Sequence, residues 1–80
     1  MTPLQAFAKN VGLTHGQAAH LIQLVEKAAD TQVKEHNDGT PSDTSPVDKY
    51  LARFGLKANW SGGIYPIIVR QDGETFHLPD

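Results

Sequence analysis

Eighty residues, of which 39 % are hydrophobic and 20 % charged, describe a single globular domain near the lower size limit for unaided folding. The lack of cysteine removes disulfides, thiolate metal sites and cysteine nucleophiles, and favours cytoplasmic residence over secretion. A formal charge of −2 comes with no basic stripe for nucleic acid, no apolar run approaches a membrane span, and the first residues lack a signal-peptide pattern.

Thr2-Pro3-Leu4-Gln5 sets a hydroxyl N-cap before a proline, with an amide three residues on, the pattern of a capping box. It predicts a first helix from about Pro3 to Asn10, with Leu4, Phe7, Ala8 and Val11 on the apolar side. Gly12 ends it as a left-handed cap, and Leu13 folds back against it. Thr14-His15-Gly16-Gln17 repeats the box and opens a second helix reaching roughly Glu35. Ala18, Leu21, Ile22, Val25, Ala28, Ala29 and Val33 make its apolar stripe, and His20, Gln23, Lys27, Thr31 and Lys34 its polar side. Asp30 precedes Lys34 by four residues, the favourable order for a helical ion pair. So long a helix is expected to overhang a small core, which makes its far end a surface for a partner or for a homodimer.

Residues 37–44, within His36-Asn37-Asp38-Gly39-Thr40-Pro41-Ser42-Asp43-Thr44, read as a mobile linker between a helical pair (1–36) and a helix with a β-hairpin (45–80). Ser45 is expected to cap a third helix from Pro46 to Phe54, closed by Gly55, with Val47, Tyr50, Leu51 and Phe54 buried. Leu56 to Trp60 reads as a short strand and Ser61-Gly62-Gly63 as a flexible joint. Ile64–Gln71 then pairs with Glu74–Leu78 across a two-residue Asp72-Gly73 loop. That register sets Val69 opposite Phe76 and Ile67 opposite Leu78 on an apolar face, and leaves Ile68 with His77, and Arg70 with Thr75, on the outer face. Pro66 cannot donate to a ladder, which points to a sheet edge near the start of that strand. The fold class is α+β, with two N-terminal helices, a polar linker, a short helix, and a hairpin or three-stranded meander.

Phe7-Ala8, Val11-Gly12-Leu13, Ala18 and Leu21 occupy the positions of the small residue, turn glycine and apolar contacts of a helix-turn-helix DNA-binding motif. Residues Leu4 to Gln23 resemble that family. The resemblance implies that the helix starting at Thr14 reads the major groove, with Thr14, His15, Gln17, His20 and Gln23 facing bases and phosphates. That helix carries no arginine and the chain is acidic, so DNA binding ranks second.

His15 and His20, five residues apart, point away from each other on a helix, and His36 and His77 lie elsewhere, so no metal site or other cofactor is predicted. Ser45 and Ser61 lack a nucleophile context, the Gly62-Gly63 segment leads into a strand rather than a helix N-terminus, and Asp72 and Glu74 read as a turn pair. The chain is not expected to be an enzyme. What remains is a cluster of Trp60, Tyr65 and Ile68 beside the glycine joint, and the edge strand, both suited to a protein partner. The sequence therefore predicts a protein-interaction module, adaptor or inhibitor, that uses Trp60, Tyr65 and Ile68 together with His20, Lys27 and Lys34 on the long helix.

Overall fold

The computed structural model describes residues 2–61 and 64–78, which form three helices followed by a three-stranded antiparallel sheet, the α+β order expected. Helix α1 (Pro3–Val11) begins at Thr2, whose hydroxyl accepts from Gln5 N–H at 3.1 Å while Gln5 Oε1 accepts from Thr2 N–H at 2.9 Å. Helix α2 (His15–Asp38) repeats the box between Thr14 and Gln17 at 3.1 and 3.0 Å. Each box satisfies two N–H groups that a helix start would otherwise leave open.

Between the two helices, Gly12 sits at φ 82°, with Leu13 N–H donating to Ala8 C=O at 2.8 Å and Gly12 N–H to Lys9 C=O at 3.3 Å. Those two bonds form a Schellman corner, and Leu13 is buried behind it.

Helix α2 runs three residues past the expected Glu35 and ends at Gly39, φ 79°. Asn37 and Asp38 therefore belong to the last turn rather than to the linker. At about 1.5 Å per residue the helix is about 36 Å long, close to the 38 Å long dimension of the molecule. Asp43 N–H donates to the Thr31 hydroxyl at 3.0 Å, and that hydroxyl donates to Ala28 C=O at 2.7 Å, which lays residues 39–44 back along α2.

Helix α3 (Ser45–Ala52) starts one residue early, and Ser45 is not its cap. Thr44 occupies the cap position in a helical conformation without a side-chain bond, and Asp43 Oδ1 accepts from Ser45 N–H at 3.1 Å instead. Asp43 outcompetes Ser45 because its carboxylate reaches the open N–H two residues ahead. Beyond Ala52 the chain turns at Gly55 (φ 71°) through Leu56 N–H to Leu51 C=O, 2.9 Å, and Gly55 N–H to Ala52 C=O, 3.2 Å. Gly55-Leu56 thus repeats the Gly12-Leu13 corner bond for bond.

The sheet is a meander of β1 (Lys57–Asn59), β2 (Ile67–Val69) and β3 (Thr75–Phe76), with β2 in the centre. That corrects the reading of Pro66 as an edge marker, since it lies just before the first paired residue of the central strand. The hairpin register also differs by one residue from expectation: Ile68 lies opposite Phe76 and Val69 opposite Thr75. A two-residue loop of the expected type needs positive φ at both Asp72 and Gly73. Only Gly73 has it, at 90°. The loop is instead Gln71-Asp72-Gly73, with Arg70 N–H donating to Glu74 C=O at 2.8 Å, Gly73 N–H donating to Arg70 C=O at 3.0 Å, and Asp72 Oδ1 accepting from Glu74 N–H at 3.0 Å. A slip of one residue turns every side chain of a strand to the other face. Ile68 accordingly enters the core at 0 % exposure, facing inward with Ala58 and Phe76.

One core joins both halves of the chain: Phe7, Ala8, Val11 and Leu13 meet Ala18, Leu21, Val25 and Ala28 of α2, Val47 and Leu51 of α3, and Leu56 and Ile68. Helix α2 packs on α1 and α3, β1 rests against α3, and β3 against α1. Arg70 Nη1 donates to Asn10 C=O at 3.3 Å, fastening the hairpin to the negative end of α1.

Candidate functional site

The sequence-predicted residues do not gather in one place. Ile68 is removed from any surface by the register just described. Trp60 is half-buried, packs against the core, and donates from Nε1 to Asp48 Oδ1 at 3.4 Å, so it ties the end of β1 to α3. The Gly62-Gly63 joint lies outside the described residues. Tyr65 remains on the surface at 59 % exposure.

On α2, Lys27 and Lys34 are exposed, and Lys34 pairs with Asp30 at 3.3 Å as the spacing predicts. Both members of the pair are well exposed, which makes it worth only a few tenths of a kcal/mol. His20 is exposed at one edge, but its ring lies 4.9 Å from that of Tyr50, tilted by 36°. Tyr50 in turn meets Phe54 edge-on at 5.2 Å and donates its hydroxyl to Gln17 C=O at 3.2 Å. The polar side of α2 is thus partly covered by α3.

That cover bears on the groove-reading face as well. Thr14, His15, His20 and Gln23 are exposed and Gln17 is half-buried, with Thr14 and Gln17 held by their capping box and His20 lying against Tyr50. Among the described residues no three His, Asp or Glu side chains are grouped as a ligand set, and no helix is long and apolar enough to cross a membrane.

A different surface stands out. Among the described residues the exposed large hydrophobic side chains are Tyr65, Ile64 at 43 % and Val33 at 39 %. Gln32 Nε2 donates to Ile64 C=O at 3.3 Å, which seats the Ile64-Tyr65 segment against the turn of α2 that carries Val33. Of these, sequence reasoning found only Tyr65. Val33 passed as a core position because it continues the apolar stripe, but α2 outruns the core at that point. A signal was available in Gln32, a polar residue lying between two stripe positions, Ala29 and Val33.

Ionisation adds one local feature. The Thr40 hydroxyl and then the Thr40 N–H, which lies 3.0 Å from Oδ1, hold the Asp38 carboxyl below the usual aspartate range. No family model, curated protein or solved structure matches this chain.

Proposed function

We propose that the chain is a small cytoplasmic protein-interaction module, an adaptor or an inhibitor, that docks on a larger protein through Ile64, Tyr65 and the Val33 turn of α2. The observation that carries this reading is the Gln32–Ile64 hydrogen bond. It turns isolated exposed side chains into one surface built from two distant parts of the chain. Exposed apolar groups brought together on one side of a small domain suit a protein contact, because covering them removes apolar area from water. Tyrosine supplies a large apolar area and a polar tip, as interface anchors commonly do.

Affinity capture from a lysate of the native host, nuclease-treated, tests the reading. The wild-type chain retains a discrete protein that Tyr65→Ser and Ile64→Ser release, while both variants keep the wild-type far-UV spectrum. Capture that ignores both substitutions overturns it. Retention of DNA alone, lost on nuclease treatment and in Gln23→Ala, transfers the function to α2 as a groove reader.

A further inference from the structure

The register of the meander decides which backbone groups the sheet leaves open. Arg70 N–H donates to Glu74 C=O, so Arg70 pairs toward β3. Hydrogen-bonded and non-bonded pairs alternate along an antiparallel ladder. Ile68, opposite Phe76, therefore also bonds toward β3, while Ile67 and Val69 bond toward β1 at Asn59 and Lys57. Ala58, opposite Ile68, is left as the non-bonded position on β1. Its N–H and C=O point away from the sheet, and neither has another backbone or side-chain partner among the described residues.

That open edge borders a cleft. Asp48 and Ala52 of α3, the Gly55-Leu56 corner, Lys57, Ala58 and Gln71 line a space of about 460 Å³. Its lining is largely apolar, with one carboxylate, one ammonium and the Gln71 carboxamide. The opposite edge is less suited: β3 has two residues, and its cleft against α1 is smaller, about 300 Å³.

From this geometry we infer that the edge of β1 is a docking site for an extended peptide segment of a partner protein, which adds a strand at Ala58 and places an apolar side chain in the cleft beside α3. The occupant follows from the chemistry of the edge. An outward N–H and C=O on one residue are met together by an extended chain, whereas a helix spends its own backbone groups internally. Asp48 and Ala52 of α3 line one side of the cleft, and Lys57 and Ala58 of β1 another. This surface is separate from Ile64, Tyr65 and Val33, so either can fail without the other.

The experiment uses the full chain and a phage-displayed library of short random peptides, with Trp60 as the reporter. Trp60 is the sole tryptophan, and its Nε1 lies on Asp48 in the cleft wall. Enriched peptides are expected to change Trp60 emission and to slow hydrogen exchange at the Ala58 amide. Ala58→Pro removes the outward donor while leaving the β1–β2 ladder its bonds, since proline is tolerated where the N–H faces solvent. It is expected to weaken binding by about tenfold or more, the loss for one backbone bond left unmade.

N-methylation of each peptide amide in turn tests the same point without altering the protein. Sensitivity is expected at one amide, the one that donates to Ala58 C=O. Tyr65→Ser is expected to leave these peptides bound. Overturning results are peptides that need Tyr65 and ignore Ala58→Pro, N-methyl scans with no single sensitive amide, or no enrichment over the Ala58→Pro protein. Protection of the Ala58 amide by the protein alone, rising with its concentration, also overturns the inference, because the strand at the edge is then a second copy of this chain.

Discussion

Three glycines turn this chain out of its helices at nearly the same angle, yet the corners differ in what stands behind them. At Gly12 and Gly55, φ 82° and 71°, the next residue is a leucine whose N–H reaches back to the helix and whose side chain enters the core. At Gly39, φ 79°, a single bond runs from Gly39 N–H to Glu35 C=O at 3.0 Å, and the next residue is the exposed Thr40. The backbone device ends a helix in every case. Only the buried leucine fixes where the chain goes afterwards, and the Gly39 corner must rely on polar bonds at Asp38 and, farther on, at Thr31.

The largest expected effect comes from removing the leucines. Leu13→Ala and Leu56→Ala should each cost about 3 kcal/mol, most of the stability of a domain this small. Denaturant unfolding checks this, and a loss well under 1 kcal/mol at either site breaks the comparison. Glycine substitution comes next. Gly12→Ala and Gly39→Ala pay only for the left-handed backbone, about 1 kcal/mol, since an added Cβ meets nothing within 4 Å at either site. At Gly55 the same Cβ would meet the end of the exposed Gln71 side chain, which can swing aside, so Gly55→Ala should cost about as much as the other two. A double-mutant cycle with Gln71→Ala should show little coupling.

Helix starts sharpen the contrast on a smaller scale. Thr14→Ala should lose about 1 kcal/mol with its capping box, whereas Thr44→Ala should be near neutral because that side chain makes no cap bond. Asp43→Ala should exceed Thr44→Ala in thermal unfolding, because Asp43 holds the Ser45 N–H. The smallest effect belongs to the Gly39 corner. With its folded pKa depressed, Asp38 contributes stability above the unfolded aspartate range and loses it as pH falls through the lower folded value. Thr40→Val should raise the Asp38 titration midpoint, read by carboxyl NMR, while barely moving the unfolding temperature of so exposed a site.

These same corners explain what could be read from the residues alone. Thr2 with Gln5, and Thr14 with Gln17, act across a fixed three-residue spacing, so both helix starts and the Gly12-Leu13 corner were legible. Asp43 and Ser45 are both good capping residues, and only the path of the segment along α2 selects the first. Asp-Gly belongs equally to loops of two and of three residues, and the difference rests on one backbone angle at Asp72. That angle moved Ile68 from the outer face to the core. The surface was legible at Tyr65 but not at Val33 or Ile64, since their exposure depends on where the core ends. Trp60 reads from the sequence as an interface anchor, whereas its indole bonds Asp48 and packs on the core.

A three-residue hairpin loop sets the register, and thereby what the chain buries and what it leaves open. Residue-resolved amide hydrogen exchange of the free protein tests it most directly. Slow exchange is expected at Lys57, Asn59, Ile67 and Val69 as a ladder set and at Ile68, with fast exchange at Ala58 between its protected neighbours. A protected Ala58 amide flanked by fast Lys57 and Asn59 would contradict the register, and with it the burial of Ile68 and the open edge of β1.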